Sequence, residues 1–138
     1  MKLASVLILA ALAAPAVAQT PVAPVTTPVG QYEATLSGQP IRLPQGPVRV
    51  SVSETLIPAG ASLPEHRHPY PRYIRVLAGR VAVKNLDTGE TRELKVGDFA
   101  VEALGQWHTG QALGAEDVRL LVIDQAPPGE ANMERRAP

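Results

Sequence analysis

The chain has 138 residues, with 13 Lys and Arg against 13 Asp and Glu, a formal net charge of zero and no cysteine. These numbers exclude disulfide support and thiol chemistry, and the lack of a basic run speaks against nucleic acid as a partner. The length suits one domain with a modest core and is too short for two.

Met1 and Lys2 give a short basic start, Leu3 to Ala14 is apolar, and Ala16-Val17-Ala18 is a small-x-small cleavage site. This is the layout of a secretory signal peptide over residues 1–18, cut after Ala18. The apolar run is shorter than the roughly 20 residues that a membrane span needs, so the mature chain is expected to start at Gln19, to be periplasmic or secreted, and to keep no membrane attachment. Removing Lys2 from the 13 basic residues leaves 12 against 13 acidic ones, which is still near neutral. Residues 19–31 are rich in proline and poor in apolar bulk, and are predicted to be a disordered linker. Residues 126–138, from Ala126 through Pro127-Pro128-Gly129 to Pro138, share that character and are predicted to be a disordered tail. The ordered domain is placed at residues 32–125.

Within that window the pattern is strand, turn, strand. Val48, Val50 and Val52 alternate with Arg49, Ser51 and Ser53, and Leu56-Ile57 runs into the turn signal Pro58-Ala59-Gly60. Short candidate strands follow at Tyr73 to Ala78, Val81 to Leu86, Thr91 to Val96, Phe99 to Val101, Trp107 to Leu113 and Val118 to Ile123. Gly79, Gly89 and Gly97 lie in the turns between them, where a positive φ is easily accommodated. No ten-residue segment after residue 18 carries a helical stripe. Regularly spaced short strands predict an all-β sandwich or barrel with a small apolar interior.

All three histidines fall where one metal site would need them. His66 and His68 form an H-x-H pair, and His108 follows forty residues later. Residues two apart on a strand share a face, so the pair aims two imidazoles at one point and a neighbouring strand can supply the third. Neutral imidazole nitrogen suits Fe, Mn, Zn, Cu and Ni alike, and three facial nitrogens leave positions open for water, dioxygen or a chelating small molecule. Ordinary surface or core histidines are the plainer alternative.

The segment from Gly60 to Gly79 resembles the first motif of the cupin superfamily, G-x5-H-x-H-x3-E-x6-G, with Gly60, His66, His68 and Gly79 in place and Arg72 at the glutamate. Gly97 to Ala112 resembles the second motif, G-x5-P-x-G-x2-H-x3-N, keeping Gly97, Gly105 and His108 but placing Ala103 at the proline and Ala112 at the asparagine. The resemblance implies an all-β, cupin-type double-stranded β-helix, an antiparallel jelly-roll barrel, with one divalent transition metal held by His66, His68 and His108 at the barrel mouth. It also implies a homodimer, as is frequent in that superfamily.

The arginine is the informative departure. A guanidinium offers no lone pair and stays protonated, so Arg72 cannot replace the glutamate as a ligand. Two readings stay open. Arg72 turns outward, re-aimed by Pro69 and Pro71, and pairs with a surface acid; or it faces the cavity and holds the carboxylate or enolate of a bound molecule. Tyr70 and Tyr73 are further candidate pocket residues. Trp107, Glu65 and Arg67 fall on the outward parity of their strands, and Glu102, alternating with Phe99 and Val101, is read as a surface residue. Three-histidine cupins include dioxygenases, so the resemblance implies dioxygenase-like oxidoreductase or isomerase chemistry on a small molecule, with no residue assigned as catalytic. The alternatives are a non-catalytic module that binds metal or a small ligand, and a structural dimeric barrel.

Overall fold

The structure is a computed structural model in which residues 23–137 are described. The segment expected to be a signal peptide, residues 1–18, and the start of the expected linker lie outside those residues. Residues 23–31 carry no strand and are exposed throughout.

Nine strands form, and no helix is found among the described residues. They are β1 (Arg49–Ile57), β2 (His66–Arg67), β3 (Arg72–Ala78), β4 (Arg80–Asn85), β5 (Thr91–Lys95), β6 (Phe99–Val101), β7 (His108–Leu113), β8 (Val118–Ala126) and β9 (Glu134–Arg135). One sheet has the order β1-β8-β3-β6 and the other β5-β4-β7-β2-β9, with every strand pair antiparallel. This is the all-β architecture expected from the spacing of the strands. The corner between β3 and β4 turns on Gly79 at φ +70°, where an added Cβ would stand 2.6 Å from the Asp117 carbonyl oxygen. Only glycine closes that corner without displacing backbone.

Between the sheets, Ile57, Ile74, Val76, Val81, Val83, Ala100, Ala112, Val118, Leu120 and Val122 form one buried apolar cluster. The inward row Val122, Ile74, Ala100 crosses β8, β3 and β6 in register, and its branched side chains fit the pleated surface. Strand β1 differs: Val50 and Val52 are 54% and 62% exposed, and Ser51 and Ser53, on the parity of buried Ile57, are exposed as well.

Two residues further along each strand the interior becomes polar. In the first sheet, Ser51, Asp124 and Arg72 are aligned by register, and the Glu102 amide donates to the Arg72 carbonyl at 2.9 Å. Across the barrel the second sheet aligns Asn85, His108, His66 and Arg135. The apolar layers carry the fold, and this polar layer gathers the titratable side chains at one end.

The C-terminal segment differs from the disordered tail expected for residues 126–138. Ala126 ends β8 as a buried residue, and β9 pairs with β2 through His66↔Arg135 and Arg67↔Glu134. What orders this segment is pairing with the exposed edge of a very short strand, with little apolar burial of its own. Ion pairs Arg67–Glu134 and Arg136–Glu65 flank the ladder on the outer face, at 2.6 and 3.0 Å.

A candidate metal centre at the polar end of the barrel

His66 and His108 face each other across the β2–β7 pair, and His68 follows two residues on, joined to Leu104 by a parallel bridge. The three imidazole centroids lie 4.5 to 5.0 Å apart. The rings are 4%, 1% and 2% exposed for His66, His68 and His108, which is rare for polar side chains without a purpose for their nitrogens.

Their tautomers follow from the backbone. His66 Nδ1 donates to the Pro64 carbonyl at 2.7 Å, His68 Nδ1 to the Asn132 carbonyl at 2.6 Å, and His108 Nδ1 to the Gln106 carbonyl at 2.9 Å. A ring whose Nδ1 carries the proton presents a lone pair at Nε2, the arrangement of metal-bound histidines whose other nitrogen is fixed by a hydrogen bond.

Glu102 completes the group. Its Oε2 lies 3.0 Å from His68 Nε2 and 3.7 Å from His108 Nε2, and one donor atom from each of the four residues falls within 4.8 Å of all the others. Yet His68 Nε2, His108 Nε2 and Glu102 Oε2 are buried without a hydrogen-bond partner. With the Nδ1 protons committed to carbonyls, these atoms confront one another as lone pairs, so a proton or a metal ion must lie among them. Burial is the largest influence on Glu102 and would raise its carboxyl, but the facing His108 and His68 imidazoles prevail, leaving it well below the usual carboxylate range. Burial is likewise the largest influence on His108, yet the Glu102 carboxylate outweighs it and raises that imidazole. His66 goes the other way: burial, reinforced by charge on His108 and His68, lowers it to about 4 despite the Pro64 carbonyl. At neutral pH it is a free base ready to ligate.

Glu102 corrects the expectation of a surface residue, since it is 8% exposed. On the sequence alone the bulky Phe99 and Val101 are the natural inward residues, which puts Glu102 outside. The inward residue of β6 is Ala100, paired with Ile74 in the core, and Glu102 shares its parity. Phe99 points to the opposite face, where Tyr32 and Tyr73 pack on its ring with centroids at 5.1 and 6.2 Å. The small residues Ala100 and Ala103 around the glutamate were the available signal.

Arg72 combines elements of both readings left open for it. It lies on the inward parity of β3, two residues from buried Ile74, and it pairs with an acid: Nε and Nη2 donate to Asp124 Oδ1 and Oδ2, each at 2.8 Å. That acid is no surface group, because the Asn132 side-chain amide donates to Asp124 Oδ1 at 2.6 Å and Asn132 is itself buried. Asn132, unnoticed in the sequence, thus joins the Arg72 pair to the His68 ring. Tyr70 enters through its backbone amide, which donates to Asn132 Oδ1 at 2.9 Å. Tyr73 stands on the outer face, its hydroxyl donating to Gln125 at 2.8 Å, and burial raises its phenol. Trp107 is covered from outside by the guanidiniums of Arg67 and Arg136, 4.8 and 5.5 Å from its ring.

Residues 53–124, just over half of the chain, match the family described as Cupin domain. The chain belongs to the cupin family. No curated protein matches this cupin in sequence. Among solved structures, it is similar to the polyketide cyclase RemF from Streptomyces resistomycificus, at 27% identity and a TM-score of 0.52 over 67% of this chain and 66% of that one. A Klebsiella pneumoniae protein with a double-stranded β-helix domain shares 23% identity at a TM-score of 0.53, over 71% of this chain and 91% of that one. Recombinant oxalate oxidase in complex with glycolate shares 23% identity at 0.52, over 62% of this chain and 45% of that one. The chain spans less than half the length of the oxalate oxidase structures it matches. The latter two likenesses bear on the fold alone.

Proposed function

We propose that this is an exported cupin that holds one divalent transition metal on His66, His68, Glu102 and His108, and acts there on a small molecule as a dioxygenase or a related metal-dependent oxidoreductase or isomerase. The observation that carries the metal is the convergence of three sealed, unpartnered donor atoms with a neutral His66. Such an arrangement costs several kcal/mol if left bare, because each buried polar group loses its water without gaining a partner. Three imidazoles and one carboxylate suit Fe, Mn, Cu, Ni or Zn, and in a six-coordinate ion they leave two positions for a small molecule. A bound metal would supply Lewis acidity and, if redox-active, electron exchange. The similarity to a polyketide cyclase supports small-molecule chemistry, and the basic, apolar, small-x-small order of residues 1–18 supports export.

Elemental analysis of the untagged mature protein from its native compartment, beside His66→Ala, tests this reading. Near-stoichiometric metal that is lost in the variant is the expected result, and iron, manganese, copper or nickel would direct the search to dioxygen uptake. Metal-free protein that stays so after reconstitution would refute the centre.

A further inference from the structure

Three of the four donor atoms are sealed; His66 Nε2 is not among them. His66 also borders a cleft with about 80 Å³ of free space, formed with Thr55, Leu63, Arg72, Met133 and Arg135. His66 therefore stands between the cluster and the cleft, and a small molecule would enter by this route.

The walls of the cleft specify what it takes. Arg135 is in direct register with His66 across the β2–β9 pair, so both project from the same face of the sheet. Arg72 is fixed from behind: the Asp124 carboxylate engages Nε and Nη2, Asn132 braces that carboxylate, and Nη1 is left over for a ligand. No acidic residue lines the cleft. Asp124 neutralises one guanidinium, the charge of Arg135 remains, and a divalent ion on three neutral imidazoles and one carboxylate adds a further net positive charge. Leu63 and Met133 provide an apolar wall. A free volume of this size holds two or three water molecules, or an organic anion of a few heavy atoms, at about 30 Å³ per water.

We infer that the cleft between β2, β3 and β9 is a carboxylate subsite, in which Arg135 and Arg72 receive the anionic end of a small organic acid beside the metal. The inference rests on the metal reading above and adds the substrate class. It also gives the C-terminal strand a role, since β9 brings both Arg135 and the segment bearing Met133 to the mouth.

The test uses the full mature chain reconstituted with zinc, with zinc content measured on every sample. Calorimetric titration compares pyruvate with its uncharged methyl ester, on the parent protein, on Arg135→Gln and on Arg67→Gln. Arg67 carries the same charge on the neighbouring strand but lies on the outer face, paired with Glu134. The expected result is pyruvate bound about tenfold or more tighter than the ester, weakened about tenfold in Arg135→Gln and unchanged in Arg67→Gln, at equal zinc content. Full zinc with no preference for the acid, or equal loss in both variants, overturns the subsite and leaves the metal reading intact. Absence of zinc from the parent overturns both.

Discussion

Glu102 lies directly across from Arg72, one residue beyond the Tyr73↔Val101 pair, with its amide donating to the Arg72 carbonyl at 2.9 Å. Position 72 is where the first cupin motif places a glutamate, so in this chain the carboxylate comes from the adjacent strand and approaches the same group of imidazoles. The exchange explains why an arginine is tolerated inside: its charge is met by Asp124, and the charge of a metal held by the imidazoles would be met by Glu102. Glu102→Ala is expected to lower metal affinity on the order of 100-fold, at or beyond the upper end of what loss of a supporting hydrogen bond costs. Competition against a chromophoric chelator measures this. Unchanged affinity in Glu102→Ala would show that three histidines suffice and that the buried carboxylate has another purpose.

Asn132 predicts a coupling between the C-terminal segment and the centre. Its carbonyl accepts from His68 Nδ1, while its side chain bonds the Tyr70 amide, the Pro71 carbonyl and Asp124. Asn132→Ala removes the side-chain bonds and leaves buried partners unmet, at about 2 kcal/mol of stability. Removal of residues 127–138 also takes away the carbonyl that fixes the His68 tautomer, and should weaken metal binding by about tenfold or more. Denaturant melts give the first quantity and chelator competition the second. Native metal affinity in the truncated chain would mean that His68 is oriented without this segment.

The sequence showed many of the strands because period-two alternation and glycine-bearing turns are local signals: Phe99 to Val101 is bounded without knowing its partners, and Thr91 to Val96 overshoots β5 by one residue. It showed the histidines because a two-residue spacing on a strand fixes a shared face. What it hid depends on contacts distant in the chain. The inward side of β6 is decided by Tyr32 and Tyr73 covering Phe99 from outside, so the side chain with the most bulk faces away from the core and the glutamate faces in. Likewise Glu134–Arg135 carries no apolar alternation. It becomes a strand only because β2, more than sixty residues earlier, has a free edge and ion-pair partners at Glu65 and Arg67.

The Arg72–Asp124 pair should be structural as much as functional. Both partners are largely buried, at 12% and 17% side-chain exposure, and the geometry is bidentate. Breaking such a pair from one side strands the other charge, which costs about 3 kcal/mol or more. Asp124→Ala is therefore expected to destabilise the fold strongly, whereas Asp124→Ala combined with Arg72→Met should recover most of the loss. Denaturant midpoints of the two single variants and the double variant give the coupling, and strict additivity would refute the pairing as a stabilising unit.

Acid sensitivity of the metal-free protein follows from His66. Its imidazole is held at about 4 in the fold against 6.5 in the unfolded chain. Above pH 6.5 neither state binds this proton, and stability carries its full value. As pH falls below 6.5 the unfolded chain takes up a proton that the buried ring refuses, so stability drops, by about 1.5 kcal/mol between pH 6.5 and 5. The other shifted groups of the cluster do not obscure that window: raised His108 loses its contribution only as pH rises above 6.5, and lowered Glu102 loses its own only below the ordinary carboxylate range. Urea melts of the metal-free chain at pH 6.5 and 5, with His66→Gln as control, should show the drop in the parent and its absence in the variant. Equal stability of the parent at the two pH values would mean that the ring takes up its proton as readily in the fold as in the open chain, and that burial does not hold it neutral.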